Sequence, residues 1–387
     1  MSRHILFITS MAAVSILVAT LHAKEIITVF IHGTMHQSIR HQPCLYQSDL
    51  LLDLGIVGIN IEAWNTKEEP SESDHYAAFH IINAFHTCAA THLESQQTKR
   101  HYYVFGWSGE LSKDAREKAS EQLYWAVNSE YHRLSANHAH IEIELYGHSH
   151  GNQLIFHLAN IRNNHQEHTW TVDRAILSAA PLHYEMARHA FHPLFHSVIN
   201  IYSEGDMIQT LDFISVPHGA CKKTFQELEQ LQPHLMKNDK CIIDLRLGAY
   251  EHYNFFGHGT FFTLDRYTPH PTLSRRLRNK YRQLITELQP LPLVSLYPLI
   301  TPHCTMPHYQ SLSANIMCDD QGPCIFLYDT GDKSHDPCII TIPPEFFTAQ
   351  AFTRKKYASI GYTSELAKIY RVCVHALTHM FRKTPKI

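Results

Sequence analysis

Apolar and polar positions along this chain alternate with two different periods, and the periods trade places repeatedly. Residues 26–31 (Ile-Ile-Thr-Val-Phe-Ile) form an almost unbroken apolar run. Such a run predicts a strand buried on both faces. Residues 141–146 alternate, and Leu154, Ile155, Leu158 and Ile161 then follow at helical spacing. The same reading predicts a short helix over 46–54, a strand over 56–64, a loop over 65–74 and a helix over 75–90. A strand at 102–107 and a helix at 114–134 follow, the helix with Ala115, Ala119, Leu123, Ala126 and Val127 as its inward stripe. Beyond residue 170 the pattern predicts strands at 174–179, 198–203 and 241–247. A helix broken around Pro193 is expected over 184–195, a long excursion over 213–238 and an amphipathic helix over 271–288. Strand and helix in turn predict an α/β fold, a mostly parallel sheet with helices on both faces. Glu142 and Glu144 sit badly in this scheme, on a strand expected to be central. They imply either the open N-terminal end of that strand or cationic partners elsewhere.

The pattern changes near Gln289. Pro290, Pro292, Pro298, Pro302 and Pro307 interrupt regular structure, and five of the nine cysteines lie further on. Residues 24–289 are thus expected to form one domain and residues 290–387 a small cysteine-containing accessory region. Two strands, 324–328 and 338–342, flank a turn there, and a helical stripe follows with Leu366, Ile369, Tyr370, Cys373, Leu377 and Met380. Cys324 and Cys338 open the two strands and are expected to form a disulfide if the chain is oxidised. No cysteine spacing matches a zinc module.

Composition narrows the classes. Hydrophobic residues make up 44% and charged residues 18% of the 387, which suits a chain with a substantial core. The net charge of −3, without a basic stripe, argues against a nucleic-acid partner. The first 23 residues read as a signal peptide, with an apolar stretch over 5–19 and a small residue, Ala23, before Lys24. The chain is expected to be secreted or periplasmic, or membrane-anchored if the segment stays uncleaved. The 32 histidines are read mainly as compositional bias.

Candidate chemistry gathers at Leu145-Tyr146-Gly147-His148-Ser149-His150-Gly151-Asn152. Gly147-x-Ser149-x-Gly151 between a strand and a helix fits a nucleophile elbow. A serine hydroxyl needs a base, and the base needs an orienting carboxylate. Asp206, past the strand at 198–203, is the expected carboxylate, with Glu204 as its rival. His258, between Gly257 and Gly259, is the expected base, with His252 in reserve. The amide of His150 and that of Thr34, in His32-Gly33-Thr34 after the first strand, are the expected oxyanion donors.

On these residues the stretch from about 24 to 288 resembles the α/β-hydrolase superfamily, in its lipase- and esterase-like branch. The resemblance rests on Ile31-His32-Gly33-Thr34, on Gly147-His148-Ser149-His150-Gly151 and on Ser203-Glu204-Gly205-Asp206 ahead of a histidine loop. Phe105-Gly106-Trp107-Ser108-Gly109 also looks like that family, without an assignable role. The resemblance implies hydrolysis of a small ester or a lipid, with contact to a lipid interface a further expectation and no cofactor or metal required. Two other readings stay open. One is a binding protein on the same scaffold. The other is a metal-dependent hydrolase using His189, His192 and His196 on one helix face.

Overall fold

The computed structural model describes residues 24–33, 55–59, 77–92, 98–110, 112–136, 140–206, 209, 221–237, 239–249, 291–304, 308–319, 322–331 and 336–358. In chain order the strands are β1 (Lys24–Ile31), β2 (Gly55–Ile59), β3 (Thr98–Gly106), β4 (His140–His148) and β5 (Val172–Ser178). They continue with β6 (Phe195–Tyr202), β7 (Cys241–Ala249), β8 (Gln310–Asp319), β9 (Gly322–Asp329) and β10 (Cys338–Thr341). The helices are α1 (Ala77–His92), α2 (Lys113–Ser135), α3 (Gly151–Asn164), α4 (Tyr184–Ala187), α5 (Gln232–Lys237), α6 (Tyr297–Ile300) and α7 (Pro344–Ala358).

The strands form one 10-stranded sheet in the order β10-β9-β8-β7-β6-β5-β4-β1-β3-β2. From β8 to β3 every neighbouring pair is parallel. β2 closes one edge antiparallel to β3, and β9 and β10 close the other as an antiparallel ribbon. β1 shows why its apolar run has no period. Ile27, Val29 and Ile31 face a core shared with α2 and α3, where Leu123, Leu154 and Leu158 pack. Phe30 faces a second core with α1, α6 and α7, among Ile81, Phe85, Tyr297 and Phe346. Helices therefore cover both faces, as the alternation predicts.

The two glutamates of β4 are accommodated in both of the ways open to them. Glu144 is buried, and the register sets it opposite Thr28 of β1 and Arg174 of β5. It pairs with Arg100 and Arg174, the latter also through Nε at 2.8 Å, and accepts the Tyr146 hydroxyl at 3.1 Å. Arg100 also donates to Thr28 Oγ1 at 2.7 Å. Burial alone would raise the Glu144 carboxyl, but the two guanidiniums hold it at about 2. Glu142 lies nearer the strand's start and meets Lys24 at 2.8 Å.

Three expectations are corrected. Residues past Gln289 add to the same sheet rather than standing apart: residues 291–300 are buried throughout, and β8 pairs with β7. Cys324 and Cys338 are not joined to each other. The β9–β10 register sets Cys324 opposite Thr341 and Cys338 opposite Leu327, so the two are offset by three positions, about 10 Å along the strands. His189, His192 and His196 share no helix face. His189 lies in a 3-10 turn (Arg188–Phe191), His192 follows it and His196 is in β6. Among the described residues no group of three or more potential ligands could hold a metal ion. The helices expected over 46–54, 271–288 and around 366–380 lie outside the described residues. No helix among those described is long and apolar enough to cross a membrane.

Candidate active site

β4 delivers Ser149 at the carboxyl edge of the sheet, and α3 starts two residues later. The Ser149 backbone lies at φ +51°, in the left-handed region that a side chain disfavours. Three bonds hold it there. Its amide donates to the Ser178 carbonyl at 2.9 Å. Its own carbonyl accepts the Asn152 amide at 3.1 Å and the Asn152 side-chain Nδ2 at 2.9 Å. The same Nδ2 reaches the Ser178 carbonyl at 2.9 Å, so Asn152 ties the elbow to β5.

The flanking glycines are required by close approach. A Cβ on Gly147 would stand 2.3 Å from Asn152 Oδ1, and one on Gly151 would stand 2.3 Å from the His32 carbonyl. Gly33 crosses directly over the serine: a Cβ there would lie 2.6 Å from Ser149 Cβ and 3.3 Å from its Oγ. The segment leaving β1 is thus pressed against the nucleophile candidate. Thr34, the next residue, lies outside the described residues. His150 is described and buried, at the N-terminus of α3, whose dipole favours negative charge.

Trp107 fixes this crossing. Its indole N–H donates to the His32 carbonyl at 2.9 Å and its ring stacks on the imidazole, centroids 5.5 Å apart. The Trp107 amide donates to His32 Nε2 at 3.4 Å, which leaves Nδ1 to donate to the Gly33 carbonyl at 2.6 Å. Burial lowers His32 to about 4, so it is a neutral structural imidazole near neutral pH. This gives the Phe105-Gly106-Trp107 stretch a role that its sequence alone leaves blank.

The two carboxylate candidates separate by exposure. Asp206 is fully buried and its Oδ1 accepts the Gln209 amide at 3.1 Å. Its own amide donates to the Ser203 carbonyl at 3.1 Å, closing a tight turn after β6. Glu204 is exposed, with Lys223 Nζ 3.9 Å from its carboxylate. β5 separates β4 from β6 and connects their ends. Ser178 accepts from Ser149, Ala179 donates to Ile201 at 2.9 Å, and Ala180 accepts Gln209 Nε2 at 2.6 Å. Ala179 is also left-handed, at φ +50°. β7 ends at Ala249; His252 and His258 fall in 250–290, outside the described residues.

Sequence reasoning missed four supporting groups. Asn152 was legible only as the polar residue after the motif. Ser178 Oγ meets the Tyr297 hydroxyl at 2.8 Å, a contact across 119 positions that no local pattern signals. Asp244 of β7 is buried and accepts from Asn200, Tyr309 and the amides of Phe225 and Gln226. Burial pushes it up to about 6 against those hydrogen bonds. Lys223, from the excursion before β7, is the fourth. No protein-family model, no curated protein and no solved structure matches the chain.

Proposed function

We propose that this chain is a serine hydrolase of the α/β-hydrolase kind, exported by its N-terminal apolar segment, that cleaves carboxylic esters, lipids among them. Ser149 is the nucleophile, Asp206 the orienting carboxylate and His258 the base, with His252 as the other candidate for that position. The observation that carries the reading is the left-handed Ser149, held between a strand and a helix with glycines where no side chain fits. The strand order adds support: Asp206 follows β6 at the carboxyl side of the parallel strands, and in the sequence both histidines come after β7.

In this reading the histidine takes the Ser149 proton as Oγ attacks the ester carbonyl. The amides of His150 and Thr34 hold the oxyanion. Collapse of the tetrahedral species expels the alcohol, protonated by the same imidazole, and leaves an acyl-serine that water then hydrolyses. Asp206, beneath the surface, keeps the imidazole in one tautomer.

The test is covalent labelling with a fluorophosphonate together with turnover of 4-nitrophenyl esters of several chain lengths. Wild-type protein is expected to label at one site and to turn over. Ser149→Ala is expected to do neither, His258→Ala to lose turnover and His252→Ala to keep most of it. An unlabelled but folded wild-type protein would support a binding scaffold instead.

A further inference from the structure

The excursion that precedes β7 returns to the sheet as a strap over residues 221–227, and most of its anchors are independent of any one side chain of its own. Lys222 and Leu182 exchange backbone hydrogen bonds at 2.8 and 3.2 Å. The Phe225 and Gln226 amides sit on the Asp244 carboxylate at 2.9 and 3.3 Å. Asn200 Nδ2 donates to the Lys223 carbonyl at 2.8 Å and to Asp244 Oδ1 at 2.6 Å. The strap is therefore fixed to β6 and β7 through main chain and a buried carboxylate.

From this fixed base one side chain reaches out. Lys223 is buried, and its Nζ donates to the Ser203 carbonyl at 3.0 Å and the Glu204 carbonyl at 2.9 Å. Those two carbonyls belong to the turn that carries Asp206. The Ser203 carbonyl also accepts the Asp206 amide. Gln209, whose amide caps Asp206 Oδ1, reaches the Lys223 carbonyl at 3.4 Å through Nε2. The geometry points to Lys223 as a positioning residue that sets the angle of the Asp206 turn, an inference that rests on the serine-hydrolase reading above. A charged donor to two carbonyls is stronger than a neutral one. Removing it takes one donor from each carbonyl, the Ser203 carbonyl keeping the Asp206 amide, and the turn loses its tie to the fixed strap. The histidine then meets a misdirected carboxylate, so the chemical step suffers while substrate binding does not.

The experiment uses the full chain, with Lys223→Met, Lys223→Gln and Lys223→Arg beside wild type and Ser149→Ala. Active sites are counted by endpoint fluorophosphonate labelling, and kcat and KM for 4-nitrophenyl butyrate are expressed per labelled site. Lys223→Met is expected to lose at least about tenfold in kcat per site with KM within about twofold. Lys223→Gln is expected to fall between, and Lys223→Arg to recover most of the rate. A purely structural lysine would lower the number of labelled sites and leave the rate per site unchanged; that result overturns the inference. So does failure of both neutral variants to fold. Turnover and labelling that persist in Ser149→Ala would instead remove the reading on which the inference rests.

Discussion

Glu144 and Ser149 are carried by the same strand and its turn, yet their surroundings are built on opposite principles. Around Glu144, charge is paired inside the sheet: Glu144 meets two guanidiniums, Arg174 also lies 3.7 Å from Glu142, and a threonine and a tyrosine complete the bonding across β1, β3, β4 and β5. Around Ser149, little charge is present and the constraint is steric. Glycine backbones pass close against Ser149, Asn152 and the His32 carbonyl, and a serine lies in left-handed backbone. The first region needs its partners and contributes a fixed register. The second stores strain on a scaffold that the first helps hold still. A buried charge with saturated partners is poorly suited to chemistry, because no lone pair or proton remains to engage a substrate. A strained, lightly charged turn at the carboxyl ends of the strands presents a hydroxyl instead.

The largest expected effect lies at the steric end. Asp206→Asn is expected to lower kcat by about four orders of magnitude, as removal of the orienting carboxylate does in such triads. Glu204→Gln, at an exposed position, is expected to change it little. Steady-state kinetics of the two variants decide between them, and the reverse order would assign the role to Glu204.

Next comes the charged end. Glu144→Gln removes the buried carboxylate that Arg100 and Arg174 share, leaving Glu142 at 3.7 Å from Arg174, and is expected to cost about 3–5 kcal/mol of stability. Urea unfolding measures it. A loss below about 1 kcal/mol would mean that the cluster is as dispensable as a surface pair.

Acid should separate the two ends. Burial holds His32 at about 4 and His157 likewise. Both take up protons in the unfolded chain below about pH 6.5, while the folded state does not. Their contribution is complete above that pH and is lost as pH falls toward 4, on the order of 2–3 kcal/mol for each. Asp244 acts with the opposite sign, because its raised carboxyl favours the folded state at low pH and loses that advantage between about pH 4 and 6. Glu144 is lost only as pH falls from about 4 toward 2. Stability is therefore expected to rise from pH 4.5 to 6.5. His157→Gln should flatten that rise and Asp244→Asn should steepen it, both read from unfolding curves at the two pH values.

The smallest effect is the most diagnostic of strain. Ser149→Gly removes the side chain that disfavours φ +51° and is expected to raise stability by about 1 kcal/mol while abolishing turnover. Thermal unfolding beside an esterase assay checks both halves. A less stable glycine variant would show that the serine side chain, not its backbone angle, was the stabilising element.

Periodicity made most of the sheet legible. The run ending at Ile31 and the stripe of Ala119, Leu123 and Val127 each reported the faces on which they are buried, whereas the alternation before Gly147 located a strand but not its burial, since Glu144 and Tyr146 are buried beside Ile143 and Leu145. β8 escaped because one of its two buried faces is polar, while Leu312, Ala314 and Ile316 pack into the core on the other. Ser313 accepts from Arg246, and Asn315 donates to the Tyr328 hydroxyl, so alternation reads as a surface segment. The short helical turns at 293–303 escaped because their prolines fall at helix starts and residues 293–301 are all buried, leaving no stripe to read. At the site, Gly147, Ser149, Gly151 and Asp206 stood out because turn chemistry and strand ends are local properties.

The features legible in chain order alone are therefore local: the period of most strands and helices, and the glycines of the Gly147-x-Ser149-x-Gly151 turn. Tertiary structure decided everything that depends on register and crossing. It set Arg100 and Arg174 on Glu144, Trp107 on His32, Gly33 on Ser149 and Lys223 on the Asp206 turn. These contacts join residues tens of positions apart through the order in which parallel strands line up. Periodicity describes one element's own faces and carries no information about which neighbour will lie against them.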